Sequence, residues 1–473
     1  MLLTYVQILP SGGQPASGLA LAPFRGLRYA QDRVSGLAEV TSPPYDVIAH
    51  EAEDHLLAAD PHNVVRLILP RHGAGNLGAD GGAALPGPGP GGLANGGAGP
   101  AQTGTAYDDA ARLLRDWQDQ GILVPDPEPA LYVYEQSLPT GVVLQRGLIG
   151  ALRLAPLGAG PVLPHEDVIP GPVTGRRQLM EATGANLEPI FLLYDGPDEP
   201  GGPSPGATTR LTTEVATQRE PLLSVDTDDS IRHRLWAVTD PAEQAAVAAD
   251  LASRQALIAD GHHRYAAYLQ LQARKRTAGA GPGPWDAGLA LLVDSAAFPP
   301  RIGAIHRVIS GLDPATAARL AERAFTVQAL PGLAPAEVLD TLREASTGHM
   351  AFIIAGDGEY YLLTDPDPRA VEEAMPDRSP RWRGLSAAVM QELLLGKLWG
   401  IRDDEERVEI HHDALAALRA ASRPPGATAV ICPPIAADVV RDVAAHGEKV
   451  PRKSTSFAPK PRTGLVLRSF ALG

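Results

Sequence analysis

Apolar residues in the middle of the chain fall in short runs that are typical of β-strands. Proline or glycine bounds these runs, which are ALYVYEQ (130–136), VLQRGLIGALRL (143–154), PIFLLYD (189–195) and AGLALLVD (287–294). HRLWAVTD (233–240) predicts a further strand, and its last residue, Asp240, can cap a helix that begins at Pro241. The middle of the chain is therefore predicted to be rich in strands and then to form a βαβ unit.

The residues before this region combine a helical pattern with a segment of low complexity. YDDAARLLRDWQDQGIL (107–123) places its apolar residues on one helical face and ends in a glycine stop signal. NVVRLILP (63–70) is an apolar run that predicts a strand. Residues 73–105 are so rich in glycine and proline that they cannot bury enough apolar area to offset their chain entropy. They predict a disordered insert.

The last third of the chain predicts a separate α+β unit. Helical periods, a hairpin and a strand–helix pair occur in turn in residues 313–325, 334–346, 350–364, 385–400 and 427–447. The predicted fold class is therefore α+β, in three parts. These parts are an N-terminal α/β segment (1–130), a mixed core (131–311) and a C-terminal α+β domain (312–473).

Composition restricts the class of protein. Hydrophobic residues make up 44% of the 473 residues and charged residues 20%, as in globular proteins. No apolar run approaches the roughly 18 residues of a membrane-spanning helix, and the apolar start MLLTYVQILP lacks the basic residue of a signal peptide. The only cysteine, Cys432, excludes an intrachain disulfide and fits a reducing compartment. We expect a cytoplasmic protein with no membrane partner.

The charge distribution argues against one class of partner and leaves another open. A net charge of −14 disfavours non-specific binding of nucleic acid, which needs basic surface. A local cluster of donors can still bind a compact anion on an acidic protein. Three of the five lysines, Lys449, Lys453 and Lys460, fall close together near the C-terminus. They are either a chance cluster in a tail or flexible ammonium groups that approach phosphate.

The stretch LIADGHHRYAAYL (257–269) concentrates titratable groups between a predicted strand and a predicted helix. The first turn of a helix offers free N–H groups, and Gly261 lets the backbone approach an anion closely. Arg264 can donate two parallel hydrogen bonds to phosphate, and His262 or His263 can donate another. Spacing alone favours a phosphate site, with a structural polar cap or a transition-metal site as the alternatives. Adjacent histidines point to different sides of a helix, which argues against the metal.

The same stretch resembles the phosphate-binding signature of the ParB/sulfiredoxin superfamily, where a glycine turn with histidine and arginine precedes a helix. The free serine kinases of that superfamily carry a similar Asp-Gly-x-His-Arg-Tyr sequence. The other sequence blocks of these kinases have similar counterparts here in the same order, which are LPHEDVI (163–169), then Arg176 or Arg177, then EPIFLLYD (188–195). The chain also resembles a larger bacterial family that is grouped as a domain of unknown function. The stretches that carry this resemblance include PFRGLRY (23–29), SPPYDVI and KSTSFAPKPRTGLV (453–466).

The resemblance implies a ParB/sulfiredoxin-like core and a role for each matched residue. Glu166 would be the general base that takes the proton of a substrate hydroxyl. The residues implied to bind nucleotide phosphates are Gly261, His262, His263, Arg264, Lys453 and Lys460, of which His263 and Arg264 also act in catalysis. Asp260 is also implied to be a catalytic residue and would hold Mg²⁺ or a substrate amine. The residues implied to contact the substrate are Arg176, Arg177, Asp46 and Arg28.

The function implied by the resemblance is phosphate transfer from ATP or ADP, assisted by Mg²⁺, to a small hydroxyl-bearing metabolite such as free serine. The alternative is a nucleotide-binding regulatory protein with little or no turnover. The expected partners are thus a nucleotide and a small hydroxylated metabolite. The chain lacks a helix-turn-helix pattern and a basic recognition segment, so nucleic acid is not an expected partner.

Overall fold

The computed structural model describes residues 18–48, 50–71, 105–158, 160–196, 204–403, 406–422 and 426–472. It is a mixed α/β structure with several sheets. The predicted disordered insert, residues 73–105, lies outside the described residues except for Thr105, which caps the following helix.

The strands alternate with helices along most of the chain. In chain order they are β1 (Leu21–Ala22), β2 (Gly26–Tyr29), β3 (Leu123–Pro125), β4 (Leu131–Ser137), β5 (Val143–Arg153), β6 (Val162–Leu163), β7 (Ala185–Asn186), β8 (Ile190–Tyr194), β9 (Leu223–Asp226), β10 (Arg232–Val238), β11 (Ala256–Asp260), β12 (Ala287–Asp294), β13 (Arg301–Ala304), β14 (His306–Ser310), β15 (Thr326–Ala329), β16 (Ala351–Gly356), β17 (Glu359–Thr364), β18 (Val408–His411), β19 (Ala427–Ile431), β20 (Thr455–Ala458) and β21 (Leu467–Ser469).

The helices range from a single turn to 16 residues. In chain order the α-helices are α1 (Leu37–Val40), α2 (His50–Ala59), α3 (Val65–Ile68), α4 (Ala106–Asp119), α5 (Pro170–Thr183), α6 (Ala207–Gln218), α7 (Pro241–Leu251), α8 (His262–Thr277), α9 (Pro314–Ala321), α10 (Pro335–Ala345), α11 (Pro368–Ala374), α12 (Pro380–Arg383), α13 (Ser386–Ala388), α14 (Ala414–Ala421) and α15 (Ala437–Ala445). A π-helix, Val389–Trp399, continues α13.

The largest sheet has nine strands and carries the strand–helix junction predicted from the sequence. Its order is β6-β11-β8-β12-β5-β4-β10-β9, and β1 pairs with β5. Two neighbouring pairs, β6 with β11 and β8 with β12, are parallel, and the others are antiparallel. Every residue of β4, β8 and β11 is buried. Burial on both faces explains the apolar run of β8, whereas β4 and β11 end in buried polar residues.

The predicted strand–helix–strand order around α7 and α8 is confirmed, but consecutive strands are not neighbours. Asp240 caps α7 by accepting hydrogen bonds from Ala242 and Glu243, as predicted. β10 lies far from β11 in the sheet, and β8 lies between β11 and β12. Sheet order depends on contacts between distant segments, which local patterns do not encode.

The prediction of a strand over residues 63–70 is wrong. Residues 65–68 form a single turn of helix, with Val65, Leu67 and Ile68 buried. The side-chain oxygen of Asn63 accepts a hydrogen bond from the backbone N–H of Val65 at 2.9 Å. Such a bond satisfies a free donor at the start of a helix, so Asn63 offsets the β propensity of the valines.

A six-stranded antiparallel sheet organises the C-terminal third, with the order β15-β17-β16-β19-β14-β18. The predicted hairpin corresponds to β16 and β17. The end of the chain then returns to the rest of the molecule, because β20 pairs with β13 and β21 pairs with both β2 and β7. This return places residues 449–462 beside the predicted junction.

Candidate functional site

The junction between β11 and α8 is built as the sequence predicts. β11 ends at Asp260, and α8 begins at His262. Gly261 between them has φ +96°, and a Cβ there would lie 2.9 Å from Cγ2 of Ile190. Only glycine meets both conditions without strain, so this position fixes the backbone N–H groups at the amino end of α8.

A small polar cavity of about 50 Å³, which we call the junction pocket, opens at this amino end. Segments that are far apart in the sequence meet in it. Its lining residues are Tyr45, Asp46, His165, Glu166, Ala259, Asp260, Gly261, His262, His263, Ile305, His412, Lys453, Thr455, Ser456, Phe457 and Lys460. Most of the residues predicted to form the site therefore lie in one place.

Asp260 is the centre of an ion-pair network in the junction pocket. Its side chain is about 8% exposed, and one carboxylate oxygen pairs with Lys460 while the other pairs with Arg264. Nζ of Lys460 also lies 3.5 Å from the carboxylate of Asp46. The buried Arg264 and the partly exposed Lys460 thus both hold Asp260, and Lys460 bridges two carboxylates.

Arg264 is buried beneath the pocket and donates to protein oxygens. Its side chain is 2% exposed, and Nη1 donates to the carbonyl of Pro189 at 2.6 Å while Nη2 donates to Asp260. Burial alone would lower the pKa of Arg264, but Asp260, Glu188 and Asp46 raise it. In this arrangement the guanidinium orients Asp260, and its contact with phosphate stays a prediction.

The two flanking carboxylates of the pocket differ in acidity. Burial raises the pKa of Glu166 to about 6, and the opposing effect of Lys453 only limits the rise. Burial would also raise the pKa of Asp46, but Lys460, Arg264 and Lys453 together lower it. The environment thus makes Glu166 the better proton acceptor and keeps Asp46 ionised.

The histidines of the junction are neutral acceptors at their Nε2 atoms. Burial and then His165 lower the pKa of His262, whose Nε2 accepts from the backbone N–H of His165 at 3.4 Å. Burial and then Lys453 lower the pKa of His263, whose Nε2 accepts from Ile169 at 3.0 Å. These bonds place the imidazole protons on Nδ1. Any donation from His263 to a ligand must therefore use Nδ1.

The returning C-terminal segment supplies both lysines of the pocket. Lys453 has a left-handed backbone with φ +52°, a conformation that costs energy in a residue with a side chain. Contacts on both sides hold it, because Val450 donates to the carbonyl of His165 and Thr455 Oγ1 lies 3.0 Å from His165 Nε2. The carbonyl of Lys460 accepts from the Gln136 amide at 3.0 Å. The segment is thus fixed to the core on either side of the pocket.

Three arginines that the sequence suggested do not line the junction pocket. Arg28 pairs with Asp126 at 2.5 Å, and Arg177 pairs with Glu181 at 2.6 Å. Arg176 donates to the carbonyl of Ile68 and lies 4.2 Å over the ring of Tyr45. Arg176 thus reaches the pocket only through Tyr45. The contacts of these arginines with substrate stay predictions.

His412 lines the junction pocket although its sequence context did not indicate this. It follows β18, in the six-stranded sheet of the C-terminal third. Burial and then Lys453 lower its pKa. His412 stands beside another histidine at the entry to a helix, a setting typical of surface residues, so only the folded structure could identify it.

A larger cleft of about 680 Å³ adjoins the junction pocket and shares Asp46, His412, Ser456, Phe457 and Lys460 with it. One part of its lining is apolar and consists of Pro43, Pro44, Val47, Ile48, Leu138, Leu144 and Ile231. Arg301 and Arg462 also line it. Its volume falls in the range of about 300–1,000 Å³ that is usual for small-molecule sites.

The described residues contain no group of three or more His, Cys, Asp or Glu side chains arranged to hold a metal ion. Asp260 and Asp46 could each offer an oxygen to a cation that is held mainly by a ligand. Mg²⁺ is commonly bound in this way, through one or two carboxylates together with phosphate oxygens and water.

Across the part of the chain that the structure describes, no helix is both long and apolar enough to cross a membrane.

Comparison with solved structures gave distant similarities. A free serine kinase in complex with AMP is 14% identical, with a TM-score of 0.33, covering 63% of this chain and 84% of that one. SbnI from Staphylococcus aureus, truncated at its C-terminus, is 9% identical with a TM-score of 0.33, covering 66% and 84%. A conserved hypothetical protein from Pyrococcus furiosus is 13% identical with a TM-score of 0.33, covering 66% and 94%.

Comparison at the level of sequence places the chain in a family. The search of curated proteins gave no match. The profile described as "Protein of unknown function (DUF1015)" matches residues 21–79 and 93–388, which is more than half of the chain. The matched residues include the junction of β11 with α8 and Glu166, whereas Lys453 and Lys460 lie beyond them. The chain belongs to the DUF1015 family.

Proposed function

We propose that this protein binds a nucleotide with its phosphates in the junction pocket and transfers the terminal phosphate to the hydroxyl of a small metabolite. One observation carries the proposal. Glu166, a partly buried carboxylate with a pKa of about 6, lines the same small pocket as two lysines and the amino end of α8. A proton acceptor beside groups that bind phosphate is the arrangement that phosphate transfer to a hydroxyl requires.

The residues that line the two adjoining spaces support this proposal for the nucleotide. The apolar part of the larger cleft is suited to the base, and the ammonium groups of Lys453 and Lys460 and the free N–H groups of α8 are suited to the phosphates. Lys460 lines both spaces and so lies where the phosphate chain would cross between them. The proposal covers both ATP and ADP as donors.

The formal charges around the pocket favour a cation that enters with the nucleotide. Three carboxylates, Glu166, Asp46 and Asp260, face three cations, Lys453, Lys460 and Arg264. A polyphosphate would therefore add negative charge without compensation. Mg²⁺ would supply that compensation and stabilise charge on the phosphate oxygens, with Asp260 or Asp46 as its protein ligand.

The proposed reaction forms one P–O bond and breaks another. The substrate hydroxyl oxygen attacks the terminal phosphorus, and the electron pair of the broken bond stays on the oxygen of the departing nucleotide. Glu166 takes the hydroxyl proton. Lys460 and the amino end of α8 stabilise the charge that develops on the transferred group. Arg264 acts through Asp260, whose carboxylate it orients.

The test is to incubate the purified protein with Mg²⁺, ATP or ADP and a panel of hydroxyl-bearing amino acids that includes serine. We expect phosphate transfer that depends on the acceptor. Glu166→Gln should reduce kcat at least 100-fold and keep nucleotide affinity, in line with the contribution of about 10²–10⁴ typical of a general base. Asp167→Asn is the matched control, because Asp167 is the next residue, is exposed and pairs with Lys449.

A nucleotide-binding regulatory protein is the second candidate, and the same experiment separates the two. The bridge that Lys460 forms between Asp46 and Asp260 favours it, because a nucleotide that displaced this bridge would change the local ion pairs without any chemistry. That function predicts thermal stabilisation by nucleotide and no acceptor-dependent turnover with any member of the panel.

A further inference from the structure

A second cavity, of about 880 Å³, lies in the C-terminal third of the molecule. Residues of β14, α10, the start of α13 and the segment between β19 and α15 line it. Its lining includes His306, Leu342, Ser346, Leu385, Cys432 and Ala436. The volume is sufficient for a small organic molecule.

The second cavity is separate from the junction pocket. The two share only His412 among their lining residues. Along the segment that forms part of both walls, Ile305 lines the junction pocket, whereas Ala304 and His306 line the second cavity. A ligand in the second cavity therefore contacts neither Glu166 nor the two lysines, and it cannot be the acceptor of the proposed reaction.

His306 offers the second cavity a buried hydrogen-bond donor. The residue is 5% exposed, and its Nδ1 accepts from the backbone N–H of Cys432 at 3.2 Å. Burial lowers the pKa of His306 to about 4, so the ring is neutral and carries its proton on Nε2. Among the described interactions Nε2 has no protein acceptor. Nε2–H of His306 is therefore a donor at the cavity wall that is available to an acceptor atom of a ligand.

Two helix amino ends lie at the cavity wall, and one of them favours an anionic acceptor. The caps of the helical segment that starts at Ser386 and of α15 are Leu385 and Ala436, and neither provides a side-chain hydrogen bond. Both caps line the cavity. The one carboxylate among the lining residues, Asp413, already accepts from the N–H of Ala416 at 2.6 Å. At α15, Asp438 in the first turn accepts from the N–H of Val439 at 3.0 Å and already supplies negative charge. The segment that starts at Ser386 has no acidic residue in its first turn, so its N–H groups and the positive end of its dipole attract a negative charge.

The rest of the wall is apolar and consists mainly of Leu339, Leu342, Met350, Ile431, Ile435 and Val439. We propose that the second cavity binds a small carboxylate with an apolar body, held by Nε2–H of His306 and by the amino end of the helical segment that starts at Ser386. The binding proposal does not depend on the proposed phosphate transfer.

The only cysteine of the chain provides a site-specific reporter, because Cys432 lines the second cavity and is 5% exposed. The full-length protein is treated with excess methyl methanethiosulfonate, which modifies the thiol of Cys432. The rate of modification is measured by intact-mass spectrometry at increasing concentrations of octanoate or octanamide. Octanamide has the same apolar body without the charge. We expect octanoate to slow the modification of Cys432 at least tenfold at saturation and octanamide to have a much smaller effect.

A pair of variants tests whether the protection of Cys432 by octanoate arises from binding in the second cavity. Ser346→Phe narrows the cavity, whereas Thr347→Phe alters the next residue, which is exposed and does not line it. We expect Ser346→Phe to weaken protection by octanoate and Thr347→Phe to leave it unchanged. The proposal is overturned if octanoate gives no protection of Cys432 or if octanamide protects it equally. It is also overturned if the Ser346→Phe variant, shown to be folded by its circular dichroism spectrum, is protected as well as the wild type. The first two results are read on the wild type and do not depend on whether a variant folds.

Discussion

Glu166 combines partial burial with nearby lysine, and this combination sets its proton affinity. A glutamate whose pKa is raised by burial destabilises the folded protein when it is ionised, because the unfolded chain solvates the charge better. The same property makes it a suitable proton acceptor near neutral pH. The proposed function of Glu166 and the stability of the fold are thus opposed at this residue.

We therefore expect Glu166→Gln to stabilise the protein above pH 6. The folded-state pKa of about 6 lies above the reference value of 4.5, so the protonated form is favoured on folding. That stability is present below pH 4.5 and is lost as the pH rises through 6. Since one pKa unit corresponds to about 1.4 kcal/mol, removing the charge should gain about 1–2 kcal/mol at pH 8.

Urea denaturation of both proteins at pH 4.5 and pH 8 measures this gain. The two proteins should differ little at the lower pH, and Asp167→Asn should match the wild type at both. A variant that is less stable than the wild type at pH 8 would show instead that favourable contacts of the ionised carboxylate outweigh the cost of burying Glu166.

The sequence predicted several of the residues that line the junction pocket, but it did not predict their contacts. Asp46, Glu166, Asp260 and Lys460 lie in short motifs that were singled out from local patterns or from the family resemblance, and all four line the pocket. Arg264 was predicted to face a ligand, whereas the structure buries it against Asp260 and the carbonyl of Pro189. The direction in which a long side chain points depends on distant segments, which local spacing does not specify.

At the scale of elements, the turn between β11 and α8 positions the amino end of the helix. Gly261→Ala should destabilise the protein by about 2–4 kcal/mol, because the left-handed backbone is strained with a Cβ and the new methyl group would lie close to Ile190. Gly279→Ala is the matched control at the other end of the same helix. It shares the left-handed backbone, with φ +79°, but has no atom within 4 Å.

Thermal or urea denaturation of the two variants separates the strain of the backbone from the close contact. The control should cost only about 1 kcal/mol, which is the backbone strain alone. Equal destabilisation by the two substitutions would show that the packing against Ile190 does not constrain the turn.

Elements with a clear period were predictable, and short buried elements were not. The predicted apolar face of α4 is confirmed, because Ala111, Leu114 and Trp117 are buried on one side of the helix. α3, in contrast, has one turn and is buried almost completely, so its apolar run carries no helical period. The only local sign of its start is Asn63, which is a good helix cap.

At the scale of the whole molecule, the C-terminal segment connects the C-terminal third to the first strands. β21 lies between β2 and β7 in a four-stranded sheet, and Arg462 donates to Oγ1 of Thr41 at 2.6 Å. The boundaries predicted at residues 130 and 311 and the ParB/sulfiredoxin-like core remain predictions. No local pattern indicated that the last residues complete a sheet begun by the first ones, because that pairing joins opposite ends of the chain.

A chain that ends at Gly447 should therefore lose stability and nucleotide binding together. It lacks β20, β21, Lys453 and Lys460, so one sheet loses a central strand and the junction pocket loses both ammonium groups. We expect a melting temperature at least 10 °C lower than that of the full chain, measured by differential scanning calorimetry. An unchanged melting temperature would mean that the returning segment contributes little to the fold.

The most direct test of nucleotide binding is calorimetric titration of ATP with Mg²⁺ into the wild type, Lys460→Met and Lys397→Met. Lys397 is the matched control, because it is a partly exposed lysine that pairs with Glu373 away from the junction pocket. A hydrogen bond from a charged group contributes about 1.5–3 kcal/mol, so Lys460→Met should weaken binding about 10–100-fold. Lys397→Met should bind as the wild type does. The absence of binding heat with the wild type, or equal affinity in a folded Lys460→Met variant, would contradict the claim that the junction pocket holds nucleotide phosphates.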